Sequence, residues 1–206
     1  MSEKSFKERV REEMINAAIQ YKQVYVDYEY LICSEAFVEQ DFYIVAGRED
    51  NFQDLTRVNS TLSPKEFYFK CLQGVLEESD FDFAKSGQDE KMVKGTVRRK
   101  IQILPNMMEL FKAGVETEEK FKKNKVSCSF ATADGMCTLG FSESKKARPK
   151  TLLKGNELNN PKPVELILRK KAGTKLFDEI VLGNVETIQK YREKIQQLLS
   201  EEMLKD

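Results

Sequence analysis

Two short stretches carry the residue types and spacing that could do chemistry. The first is N-F-Q-D-L-T-R at 51–57, where Asp54 and Thr56 sit between a strand-like run and a strongly capped helix. The second is K-K-A-R-P-K-T-L-L-K-G at 145–155. There Pro149 holds Arg148 in extended geometry, so that Arg148, Lys150 and Lys154 can converge on a phosphodiester, although an exposed loop with ordinary basic decoration has the same composition. The chain has no histidine, so the commonest acid/base residue is missing and every triad that needs one is excluded. The glycine-rich phosphate loops, the H-E-x-x-H zinc motif and the G-x-S-x-G elbow are absent as well. R-K-K-A-G-T-K at 169–175 is a less specific basic tract and reads as a hairpin tip.

The elements that must position these residues follow from periodicity. Ser5 with Glu8 forms a capping box, and Phe6, Val10, Met14 and Tyr21 recur at helical spacing, which predicts a first amphipathic helix. V-Y-V-D-Y-E-Y-L-I from Val24 to Ile32 alternates as a half-buried strand, and F-Y-I-V-A-G at 42–47 is a second one. Ser63, Pro64 and Glu66 open a helix over 64–73, with Gly74 placed for a left-handed cap. A long helix carries Val93, Val97, Ile101, Leu104, Met108 and Phe111; Pro105 should kink or break it, and Arg98, Arg99 and Lys100 read as a solvated face. A hairpin around Ala133, Asp134 and Gly135 and a final pair of strands follow, and a helix over 184–204 capped by Asn184 closes the chain. The class is α+β: one domain over 1–206, an antiparallel sheet flanked by helices.

Composition narrows the rest. No apolar run is long enough to cross a bilayer and no signal peptide is evident, which predicts a soluble, cytoplasmic protein without membrane partners. The four cysteines show no C-x-x-C pair, so buried, reduced thiols are expected and no metal site. Net charge is zero, yet residues 27–90 carry 15 acidic against 5 basic side chains while 120–175 carry 4 against 14. The two segments either screen each other or leave a basic surface for phosphates.

Phe52, Leu55 and Thr56, then Phe67, Tyr68 and Cys71, then Thr138 to Phe141, then Pro149 with Thr151 to Leu153 occur in an order that resembles a known family. It is that of the barnase/colicin/RelE-like nuclease domains of phage polyvalent proteins and mobile elements, of the PBECR4 kind, and the similarity spans about 24–183 of this chain. The resemblance implies a barnase/RelE-like core, an RNA substrate or other nucleic-acid partner, and metal-independent, cofactor-free attack of the ribose 2′-hydroxyl on the adjacent phosphate. It casts Asp54 as general base, Thr56 as a phosphate-orienting group and Arg148 and Lys150 as charge stabilisers. Arg57, Thr151, Lys154, Arg169 and Lys170 are then binding residues, and Thr56 and Lys150 should open into one cleft. The family's turn usually reads His-Leu-Thr-Gly, whereas this chain has Asp54 for the His and Arg57 for the Gly. Loss of the histidine leaves a second reading open, an inactive nuclease-like domain that binds nucleic acid or a host or defence protein. A third is a protein-binding module whose acidic 77–90 tract mimics nucleic acid.

Overall fold

The computed structural model describes residues 4–205 apart from 113 and 124. Helix α1 (Phe6–Tyr21) is capped by the Ser5 side chain, which accepts from the Glu8 amide, and buries Val10, Met14, Ala17, Ala18 and Tyr21. It does not hand over to a strand at Val24 as the alternation predicts. A π-helical turn, Lys22–Val26, intervenes, closed by the Asp27 amide donating to the Lys22 carbonyl at 2.8 Å. The cause is Tyr25: its helical spacing from Tyr21 keeps the two rings 5.5 Å apart, and its buried hydroxyl donates to the Met107 carbonyl at 2.5 Å. Strand β1 (Tyr28–Cys33) starts only after that anchor and is buried on both faces.

The chain continues through β2 (Tyr43–Ala46), the short helix α2 (Phe52–Thr56), β3 (Asn59–Ser60), α3 (Pro64–Leu72), β4 (Phe81–Asp82) and α4 (Glu90–Glu109). The capping box of α3 forms as its sequence predicts, Ser63 and Glu66 bonding each other's backbone amides, and Gly74 takes φ 73°. Helix α4 is neither broken at Pro105 nor shortened to it but runs four residues further, with Leu104, Met107 and Met108 buried on either side of the proline. Burial of that last apolar turn outweighs the one backbone hydrogen bond Pro105 cannot make.

The second half is strand-rich: β5 (Glu116–Glu119), β6 (Lys122–Lys123), β7 (Val126–Ser127), β8 (Phe130–Ala133), β9 (Cys137–Phe141), β10 (Pro149–Lys154), β11 (Lys162–Pro163), β12 (Leu166–Lys171) and β13 (Glu179–Leu182), then α5 (Val185–Ile195) and α6 (Glu201–Leu204). The class is α+β with antiparallel sheets flanked by helices. In place of one sheet there are two larger ones, ordered β13-β12-β1-β2 and β10-β9-β8-β5-β11, with the ribbons β3-β4 and β6-β7 beside them. Ala147 stitches the two sheets together, its amide donating to Ile44 at 2.7 Å and its carbonyl accepting from Ala46 at 3.0 Å.

The C-terminal helix is interrupted. Between α5 and α6 the Phe177 amide donates to the Leu198 carbonyl and the Ser200 amide to the Phe177 carbonyl. This pairing drops Leu199 into a cluster with Leu31, Leu168, Phe177, Ile188 and Ile195, which a continuous helix would not allow. All four cysteines are free and buried, and burial raises every thiol, Cys128 to about 11 and the other three to about 12. No described helix is long and apolar enough to cross a membrane.

Candidate nucleic-acid interface

Helix α2 lies against α3, α4 and β10, the strand at one edge of the five-stranded sheet. Phe52, Leu55 and Thr56 face inward and are fully buried, which leaves Asp54 and Arg57 exposed on the outer side. Thr56 therefore does not open into any cleft. Its hydroxyl donates to the Gln53 carbonyl at 2.7 Å and accepts from the Val58 amide, stabilising the turn from within. Arg57 ends the helix in the left-handed region at φ 70°, a conformation that favours glycine.

Two further cations meet this turn. Lys85 comes from the loop before α4, and with Arg57, Asn59, Gln88 and Glu90, whose carboxylate is paired with Lys94, it lines a cleft of about 630 Å³. Burial and then the Arg57 charge push its pKa down, while Asp54 acts in the opposite sense. Lys100 projects from the middle of α4 and donates to the Leu152 carbonyl of β10. It is partly buried, and burial, then Arg57 and Arg99, lower it to about 8. No described carboxylate forms an ion pair with Arg57, Lys85 or Lys100 within 4.0 Å. Cations held together with their charges imperfectly neutralised are what an anion site requires.

The other expected residues are placed differently. Lys150 is exposed on β10, but its ammonium donates to the Ser127 carbonyl of β7 at 2.8 Å, on the ribbon β6-β7. Thr151 pairs in register with Gly140, where a Cβ would meet the Cys128 sulfur at 2.6 Å, so it faces the same ribbon. Arg148 is half-buried with its backbone tied to Ser142, and Lys154 is exposed at the end of β10. Arg169 is held by Glu179 through two bonds of 2.6 Å and stacks over Tyr28 at 4.4 Å. Lys170 is buried and paired with Glu29 at 2.9 Å; Glu29 is also held by Lys146 at 2.6 Å. Burial alone would raise Glu29, but the hydrogen bonds from the two lysines hold it below the ordinary carboxylate range. The basic tract at 169–175 is thus partly an internal ion-pair network and not simply a solvated tip.

Asp54 and Arg57 are brought together, while Lys85 and Lys100 complete the cluster unpredicted. Arg98 and Arg99 are exposed as the solvated-face reading expects, but Lys100, assigned to the same face, is not: it lies seven residues after Val93 and three after Val97, within the apolar stripe. A turn with one exposed carboxylate, backed by three cations at a sheet edge, suits a nuclease-like domain, and the family comparison decides the matter. The model of the phage-Barnase-EndoU-ColicinE5/D-RelE like nuclease4 family, PBECR4, matches residues 13–186. The chain belongs to this family. No curated protein and no solved structure matches it. The match spans both α2 with Asp54 and Arg57 and the α4 and β10 segments around it.

Proposed function

We propose that this PBECR4 domain binds single-stranded RNA at Asp54, Arg57, Lys85 and Lys100 and cleaves it without a metal ion. The observation that carries the reading is Arg57 within electrostatic reach of both Lys85 and Lys100, none of the three with a carboxylate ion pair among the described residues, on a turn that exposes Asp54. The Asp54 carboxylate takes the proton of the 2′-hydroxyl, the O2′–P bond forms, and Arg57 and Lys85 stabilise the charge that develops on the phosphate. The P–O5′ bond breaks, and the Lys100 ammonium returns a proton to the leaving oxygen. The products are a 2′,3′-cyclic phosphate and a 5′-hydroxyl. Lys100 suits the donor role because burial and neighbouring charge bring it to about 8, close to neutral pH. Arg148 and Lys150 act outside this centre, and Thr56 acts only through the shape of the turn.

The test is a labelled RNA resolved on a denaturing gel. Asp54→Asn should lower cleavage by about 10²- to 10⁴-fold and leave binding nearly intact. Cleavage that survives this change would place the chemistry elsewhere. A second reading is favoured by one observation, the absence of histidine from the whole chain: the domain binds RNA, or a host or defence protein, and no longer cuts. In that case the natural chain is inert, and Asp54→His with Arg57→Gly restores cleavage.

A further inference from the structure

Strand β10, the edge of the five-stranded sheet, runs past the cluster. Lys100 reaches it at Leu152, and two residues to either side, about 7 Å along the strand, stand the exposed Lys150 and Lys154. Neither makes a carboxylate ion pair among the described residues, unlike Lys120, Lys123, Lys146, Arg169 and Lys170 in the same basic half. On the Lys150 side the edge leads to the ribbon, because the Ser127 carbonyl that Lys150 holds belongs to the cross-strand partner of Lys122. Lys122 and Ser127 in turn line a cleft of about 1060 Å³ between the ribbon, the 39–44 segment and the 143–145 loop, together with Lys120, Lys145 and the carboxylates of Glu39, Asp41 and Glu143. Among the described residues, lysines without an acidic partner thus continue from the centre as far as this cleft, where Glu39 and Asp41 are taken up by Lys120 and Lys194 and Glu143 stands beside Lys145 without an ion pair.

We infer that single-stranded RNA extends from the Asp54 centre along the edge of β10, with Lys154 taking phosphates on one side and Lys150, Lys122 and Lys145 on the other, up to the large cleft. The inference rests on the reading of the centre given above and adds a substrate class to it, an oligonucleotide longer than the scissile step. Lysine is apt for this work, since a flexible point charge neutralises a backbone phosphate without selecting a base. Sequence-independent tracking of the strand follows.

Fluorescence anisotropy with two labelled probes, a tri-uridylate and a dodeca-uridylate, tests this on the full chain at several salt concentrations. The natural protein should bind the longer probe more tightly. Lys150→Ala with Lys154→Ala should remove most of that gain and lower the slope of log affinity against log salt by about 0.7 per lysine, with little change for the short probe. Arg57→Ala should weaken both probes. If the double variant keeps the full length-dependent gain, the path is wrong while the centre stands. If it weakens the two probes equally, these lysines belong to the centre and there is no separate path. If the natural chain binds neither probe at low salt, the RNA reading fails together with this one, and the basic edge is a protein-binding surface. Circular dichroism of each variant separates these outcomes from misfolding.

Discussion

Two groups of cations differ in one respect. At the four-stranded sheet, Lys146 and Lys170 close on Glu29, and Arg169 closes on Glu179. At the α2–α4–β10 junction, Lys85 and Lys100 each feel the Arg57 charge, Asp54 opposes it at Lys85, and the Glu90 carboxylate in the same cleft is taken up by Lys94. The first arrangement satisfies its charges internally and has none left for a ligand. The second leaves Arg57 and Lys85 at a cleft without a carboxylate ion pair among the described residues, with Lys100 behind them on a backbone carbonyl and its pKa depressed. Counting basic residues by segment, which gives a large positive balance for 120–175, cannot tell these cases apart. The distinction lies in which carboxylate the fold delivers, and Glu29 is 117 residues from Lys146 in the chain.

The comparison breaks first at Glu29. Glu29→Ala leaves Lys170, 8% exposed at its side chain, as a buried unpaired charge, and should lower stability by about 3–5 kcal/mol in urea unfolding. Because the folded carboxyl lies below its ordinary value, this stabilisation is complete above the unfolded pKa and is lost as pH falls through the folded one. A loss of less than about 1 kcal/mol would show that water reaches the pair.

At the junction the corresponding change should act on binding and not on folding. Arg57→Gly relieves a left-handed conformation worth about 1–2 kcal/mol, and the greater chain entropy of glycine offsets about 0.5–1 kcal/mol of that. Stability should therefore change little while RNA affinity falls at least about tenfold, the size of one lost charge-assisted contact. An unfolding midpoint that drops together with affinity would make Arg57 structural, like Arg169.

The third effect is a pH dependence. Lys100, at about 8 in the fold against an ordinary 10.5, holds its proton in the unfolded chain over a range where the folded chain has released it. Its contribution to stability therefore rises as pH climbs from 8 to 10.5, whereas RNA affinity falls over the same range as the ammonium is lost. Lys100→Met should remove both trends. Parallel pH profiles for the natural chain and the variant would assign the titration to another group.

What was legible in the sequence was local. The caps of α1, α3 and α5 rest on residues three positions apart, and the hairpin β8-β9 on its own turn, so those elements form where expected. Features decided by distant contacts were not legible. Tyr25 prolongs the first helix because of Met107, and Leu199 interrupts the C-terminal one because of Phe177. At the site, Asp54 and Arg57 could be singled out from one heptapeptide. Lys85 could not, since its neighbours come from the fold, and Lys100 only by treating a lysine in an apolar stripe as meaningful.

The four buried thiols give the molecule a set of internal clocks. A thiolate is needed for alkylation, and with every thiol raised to about 11 or above and shielded from solvent, the folded chain should react very slowly near neutral pH. Cys33 lies in the four-stranded sheet, Cys71 in α3, Cys137 in the five-stranded sheet and Cys128 beneath the ribbon. The rate at which each is alkylated therefore measures how often its own neighbourhood opens, and the order of the four rates ranks the regions by local stability without any label being introduced.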